Sequence, residues 1–166
     1  KADDIQTYLS LIQYSDEALR ELIEHYKSID EPTMIVFFGD HQPSFASELV
    51  KTYYPDKTTQ EQRLIGSATP FIIWTNYDSP SEEDIVVSPS ILGAMVAQQA
   101  GFDLPALPNL IMSRIYPKIS VAHEAGVVSR ENGTIYDIDH LPENLQTEWD
   151  KWQKLCYYYL FDFQTQ

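Results

Sequence analysis

Apolar residues at Ile5, Tyr8, Leu9, Ile12, Leu19, Leu22, Ile23 and Tyr26 recur every three or four positions and predict a first helix from Asp4 to Ser28. Asp16 falls on the same stripe, where an acid needs a partner, and a neighbouring loop is the expected one. Asp30, Glu31 and Pro32 then break the pattern. From Thr33 to Phe38 polar alternation is lost, which predicts a strand covered on both faces in a parallel sheet. "ATPFIIWTN", Ala68 to Asn76, repeats this as an adjacent interior strand, with Pro70 near its start where a missing N–H does least harm. Helix, short turn and buried strand make half of a βαβ unit, so the fold class read from the pattern is α/β.

Further along, Ser88 reads as an N-cap with Pro89 at the first helical position, and Gly101 stops a helix carrying Ile91, Leu92, Met95 and Val96. "PALPNLIMSRIYP" is a short helix bounded by prolines, and "GVVSRENGTIYDID" has two β-rich runs flanking Asn132 and Gly133, a small hairpin near the carboxyl end. Leu145, Trp149, Trp152, Cys156, Tyr159 and Phe163 predict a closing helix with an aromatic seam, on which Cys156 is a small buried hydrophobe and not a nucleophile. Residues 42–67 and 76–87 read as polar connectors, and the charge run "SPSEEDI" as a solvated loop.

The 166 residues suit one domain with a real core, and 25 acidic against 11 basic side chains give a formal charge of -14. Such a field repels polyanions, so nucleic acid and anionic membrane surfaces are poor partners. A single cysteine excludes an internal disulfide without fixing the compartment. No apolar run reaches the roughly 18 residues of a transmembrane helix. The chain opens inside a helical pattern without an initiator Met, which suggests a piece of a longer protein.

Candidate chemistry sits where the first strand ends, in "TMIVFFGDHQPS". Ligands of open α/β sheets collect beyond the carboxyl ends of strands, and there stand Asp40 and His41. Successive strand side chains point to opposite faces, so Gly39 is expected to let the backbone leave the strand in a conformation other residues avoid and turn both side chains to one point. A carboxylate oxygen and a neutral imidazole nitrogen suit Mn²⁺, Zn²⁺ or a related divalent ion. Two ligands are too few for a working site, and helix capping by the Asp with a surface His explains the pair about as often as metal. His25, His123 and His140 do not obviously complete the set; His123, His140 and Glu48 are the residues to examine next.

"YLSLIQYSDEALRELIEHYK", "TMIVFFGDHQPS", "TPFIIWTNYD", "SPSILGAMVAQQAGF" and the aromatic last helix, in that order, resemble the carboxyl-terminal part of lipoteichoic acid synthase-like proteins. These form the phosphoglycerol transferase branch of the sulfatase and alkaline phosphatase superfamily. The resemblance implies a partial α/β sandwich around a mixed sheet with helices on its faces. It implies a parent held on the extracellular side of the cell membrane by an amino-terminal transmembrane region. It further implies one divalent ion, Mn²⁺ or similar, bound by an acid, a nucleophilic Thr and an Asp-His pair that Asp40 and His41 match. The nucleophile, the first acidic ligand and the substrate-binding His and Arg belong to family segments before Lys1. Residues 1–166 are then the carboxyl-terminal segment of the catalytic domain, holding half of the metal site, no catalytic residue, and no activity alone.

On this resemblance the parent moves phosphoglycerol from a phosphatidylglycerol-type lipid, or acts on another anionic ester, by attack of a metal-activated Thr and transfer to an acceptor hydroxyl. Two alternatives stand beside it: a sulfate or phosphate ester hydrolase of the same superfamily, and a non-catalytic domain in which Asp40 and His41 are structural.

Overall fold

The computed structural model describes residues 2–162, so Phe163 of the aromatic seam lies outside the described residues. The chain divides into two compact units, Lys1–Phe38 with Phe71–Ser79 and Gly39–Pro70 with Pro80–Gln166.

The first unit holds helix α1 (Ala2–Lys27) and strands β1 (Met34–Phe38) and β2 (Phe71–Thr75). The periodicity gives α1 within two residues at each end, but its stripe is not covered along its length, and Leu9, Ile12 and Leu22 remain exposed. Asp16 finds its partner within the helix: Arg20 Nη2 lies 2.7 Å from Asp16 Oδ2, both in solvent. This corrects the expected loop partner, because an (i, i+4) cation is already in reach and no desolvation forces a second one.

At its carboxyl end α1 is fastened by Asn76, which follows β2. The Asn76 amide Nδ2 is shared among the carbonyls of Tyr26, Ile29 and Glu31 at 2.9–3.2 Å, and its Oδ1 accepts from the Thr33 N–H at 2.8 Å. One side chain thus satisfies helix-end carbonyls and fixes the entry to β1.

β1 and β2 are neighbours, as their sequences predict, but they pair antiparallel, with Val36 opposite Ile73 and Phe37 opposite Ile72. The parallel arrangement and the two-sided cover are both corrected. Gly39 N–H donates to the Pro70 carbonyl at 3.0 Å, so the intervening excursion closes where it began and the next strand has to run back. The pair forms a two-stranded sheet, and Phe37, Phe38 and Ile72 are exposed.

That excursion, expected as a polar connector, contains two helices, α2 (Ala46–Tyr53) and α3 (Thr59–Ser67). Buried Ala46 and Val50 anchor α2. A reciprocal cap starts α3: the Glu61 N–H donates to Thr58 Oγ1, and the Thr58 N–H donates to Glu61 Oε2. The hydrogen bonds from Lys57 and Thr58 hold the Glu61 carboxyl at about 2, well below its ordinary 4.5. A carboxyl depressed on folding stabilises above its unfolded value, and that contribution is lost as pH falls through the folded one. The stability gap between wild type and Glu61→Gln is therefore expected to be full above about pH 4.5 and to vanish near pH 2, which melting curves across that range will show.

The rest of the second unit packs helices on a three-stranded antiparallel sheet. Helix α4 (Pro89–Gln99) follows Ser88, and a short α5 (Ala106–Leu110) runs into a π-helical turn at Ile111–Ile115. Strands β3 (Ile119–His123), β4 (Gly126–Ser129) and β5 (Ile135–Tyr136) pair in sequence order, and α6 (Glu143–Tyr157) closes the unit. The hairpin across Asn132 and Gly133 is present as β4–β5, with Gly133 at φ +69°. β3 joins it although "ISVAH" was not among the predicted strands.

Ser88 occupies the N-cap position without capping. Its Oγ accepts the Ala122 N–H at 2.7 Å and donates to the Ala122 carbonyl at 3.1 Å, tying the start of α4 to β3 in place of a cap. Ile115, Ile119, Val127, Leu145 and Trp152 form one core cluster, with Trp149 and Cys156 against it. Ile91, Ala94, Ile111 and Tyr116 form another. Burial pushes the Cys156 thiol up, which suits a packing role.

In the loop before α4, Glu82 is held by the Tyr116 hydroxyl at 2.7 Å and by Arg130 at 2.9 Å, so the charge run is anchored at one residue. Burial and that hydrogen bond push the Tyr116 hydroxyl up to about 12. The observed architecture is α/β with two small sheets and surrounding helices.

Candidate metal half-site

The candidate residues follow β1 directly. Gly39 does not have a positive φ, so the expected special conformation is not the reason for a glycine here. Close approach is the reason: a Cβ on Gly39 would stand 2.9 Å from Thr69 Cβ, and Thr69 Oγ1 donates to the Gly39 carbonyl at 2.8 Å. Gly39→Ala is expected to cost about 1–3 kcal/mol, read from urea unfolding, because the segment before β2 has to move away.

The loop is closed further by Gln42, whose side-chain amide donates to the Ala68 carbonyl. On this closed base Asp40 and His41 point the same way. Asp40 Oδ1 accepts the His41 backbone N–H at 2.8 Å, which leaves Oδ2 facing the ring, 3.5 Å from Nε2. His41 Nδ1 lies 3.0 Å from the Gln42 carbonyl. A carbonyl oxygen only accepts, so Nδ1 is placed to donate to Gln42, and Nε2 is the ring nitrogen that faces Asp40 Oδ2.

Both side chains are open to solvent, Asp40 at 84% and His41 at 79%. Two donor atoms each about 2.0–2.2 Å from one ion can stand this far apart, and a backbone carbonyl on the other ring nitrogen is the usual support of a metal-binding His. The two donor atoms are therefore compatible with a divalent ion, to which they would offer two ligands.

The remaining histidines are engaged elsewhere. His123 Nδ1 accepts the Ala125 N–H at 3.0 Å in the β3–β4 turn, His140 faces Asp137 at 4.0 Å, and His25 meets the Tyr26 ring edge-on. Glu48 lies in the first turn of α2. Among the described residues no three His, Cys, Asp or Glu side chains gather to hold an ion. A polar open groove of about 530 Å³ lies along Gln60, Arg63, Glu124, Asp137 and Asp139, and neither Asp40 nor His41 lines it. Among the described residues no helix is long and apolar enough to cross a membrane.

The profile of the Sulfatase family matches residues 1–102, a stretch that takes in α1, both strands of the first sheet and the Gly39–Asp40–His41 turn. The chain belongs to the sulfatase family. Proteins of this superfamily are generally metal-dependent and act on esters. Among curated proteins it is similar to one from Rhizobium meliloti (strain 1021) provisionally named a cyclic beta-1,2-glucan modification protein, 27% identical over 78% of this chain and 21% of that protein. It is also similar to the capsular polysaccharide biosynthesis protein RkpI of the same strain, 36% identical over 33% of this chain and 10% of that protein. The chain thus spans about a fifth or less of the length of these relatives. No solved structure gives a significant match.

Proposed function

We propose that the chain is the carboxyl-terminal segment of a metal-dependent phosphoglycerol transferase of the lipoteichoic acid synthase type, acting outside the cell from a membrane-anchored parent. The observation that carries this reading is the convergence of Asp40 Oδ2 and His41 Nε2 at 3.5 Å on a turn of a sulfatase-family chain. In this reading the pair is half of the metal site, and the nucleophile and other ligands come from segments outside residues 1–166.

An ion such as Mn²⁺, held by Asp40 and His41 together with ligands from outside residues 1–166, would supply Lewis acidity towards the attacking hydroxyl. The chain's own part is electrostatic. Asp40 offers Oδ2, the His41 backbone N–H steadies that carboxylate through Oδ1, and the Gln42 carbonyl takes up His41 Nδ1, which turns Nε2 towards Asp40. Neither residue moves a proton. The substrate is a phosphatidylglycerol-type lipid or another anionic phosphoester, and the polysaccharide-related names of both relatives favour a sugar hydroxyl as acceptor.

Incubating the polypeptide that carries the whole domain with a labelled phosphatidylglycerol and a glucan acceptor tests this. Label on the glucan is expected. Release of free glycerol phosphate with or without acceptor would make the protein a hydrolase, and no turnover of any phosphate or sulfate ester would leave a non-catalytic domain.

A further inference from the structure

Glu148 is the acid on the buried seam of α6, one turn after Leu145 and one before Trp152, and its side chain is 3% exposed. Three cations meet at its Oε1: Arg114 Nη2 at 3.1 Å, Lys151 Nζ at 3.2 Å and Lys118 Nζ at 3.5 Å. They come from three places in the fold, the π-helical turn, the turn before β3 and α6 itself. Burial alone would raise the Glu148 carboxyl, but the hydrogen bonds from Arg114 and Lys151 outweigh it and hold the group below its ordinary value. It is a carboxylate. Its Oε2 is buried and has no hydrogen-bond partner among the described residues.

The other Lys and Arg ion pairs described are one to one: Arg20 with Asp16, Lys27 with Glu24, Lys57 with Glu61, Arg63 with Glu124 and Arg130 with Glu82. Three positive charges around one negative leave a local excess of two, in a chain whose formal charge is -14. Neutralising Glu148 needs one cation, and the other two repel it and each other over distances too short for salt to screen. The charges also differ in where they face. As whole side chains Arg114 is 54% exposed and Lys118 and Lys151 are each 42% exposed, so solvent reaches the three basic residues while the side chain of Glu148 is inside. Each cation uses one donor on Glu148 and has others to spare, five N–H groups on the guanidinium and three on each ammonium.

We propose that Arg114, Lys118 and Lys151, gathered by Glu148, form a binding site for a tetrahedral oxyanion, the phosphate or sulfate group of an ester. Arg114 gives the planar fork that matches two oxygens of such a group, and the two ammonium groups add charge around it. Glu148 is a positioning residue that the anion does not touch. The site lies on elements other than the turn bearing Asp40 and His41, and it does not depend on the metal reading.

Binding of inorganic phosphate and of inorganic sulfate, at ionic strength held constant with chloride, tests it by NMR of the labelled chain. Dextran sulfate against neutral dextran gives the polymer-borne arm. Saturable binding is expected in at least one arm, with shifts at Arg114, Lys118 and Lys151. Arg114→Gln and Lys151→Gln should each weaken it by about tenfold, as loss of one charge-assisted hydrogen bond implies. Arg20→Gln removes the same charge from an exposed pair on α1 and should leave the affinity unchanged. Both substituted cluster residues are half in solvent, and unchanged circular dichroism identifies a folded variant. Absence of saturable binding in every arm, an equal loss in Arg20→Gln, or full affinity in both folded cluster variants would overturn the proposal.

Discussion

Asp40→Ala and His41→Ala, each made in the polypeptide that carries the whole sulfatase domain, are expected to lower turnover by about 10²–10³-fold, the scale of losing one electrostatic contact to a transition state. Bound Mn²⁺ should fall below one per protein in both. The two substitutions remove different atoms, a carboxylate oxygen and an imidazole nitrogen, which in the proposed reading serve one ion, so the double variant should be little worse than either alone. Both side chains are exposed and make few packing contacts, so melting temperature should barely change. Wild-type metal content in both variants would remove the pair from the metal site. A drop in stability without loss of metal would make it structural.

The second large effect is expected at Gly126, the first residue of β4. Its φ is +150°, and an added Cβ would meet Gln60 Nε2 at 2.6 Å, the Tyr136 carbonyl oxygen at 2.7 Å and Ile135 Cγ2 at 3.0 Å. The glutamine can swing away. The carbonyl belongs to the backbone of β5 and cannot, since β5 pairs with β4 through Val127 opposite Tyr136. Gly126→Ala combines backbone strain with overpacking and should cost about 3–5 kcal/mol in urea unfolding. Gly133, also at positive φ but with nothing within 4 Å, should cost only its strain when changed to Ala, about 1–2 kcal/mol. Equal losses at the two positions would mean that the contact with Tyr136 is not what decides the outcome.

The sequence pattern was most informative where one signal ran long. α1 follows from its twenty-odd residues of three-and-four spacing, and β1 and β2 follow from unbroken apolar runs. Their relative direction does not follow, because it depends on where residues 39–70 close, a property of the excursion and not of either strand. α2 and α3 are short, separated by a segment with Pro55, and polar on most positions, so their apolar spacing is too brief to register. A start signal for α3 was nonetheless present in Thr58 and Glu61, three residues apart.

At the site, Asp40 and His41 stand out because a glycine, an acid and an imidazole end a buried-looking run. The Gln42 carbonyl has no sequence signature, as backbone atoms do not. Glu148 did have one. It sits on the α6 seam between Leu145 and Trp152, the same anomaly that Asp16 shows on α1, but only one of these two acids is buried. Periodicity places an acid on a stripe; it does not say whether anything covers the stripe.

The open sheet has a consequence for how the molecule behaves in solution. Phe37 and Ile72 are exposed opposite each other on one face, and Phe38, 60% exposed, stands on the other. Each strand has one neighbour among the described residues, so each keeps an outer row of backbone donors and acceptors able to template another strand. Two copies share a formal charge of -14, which opposes their approach. With an isoelectric point near 4.4, acidification towards that value removes the repulsion, and the isolated segment should aggregate edge to edge in acidic, salty buffer.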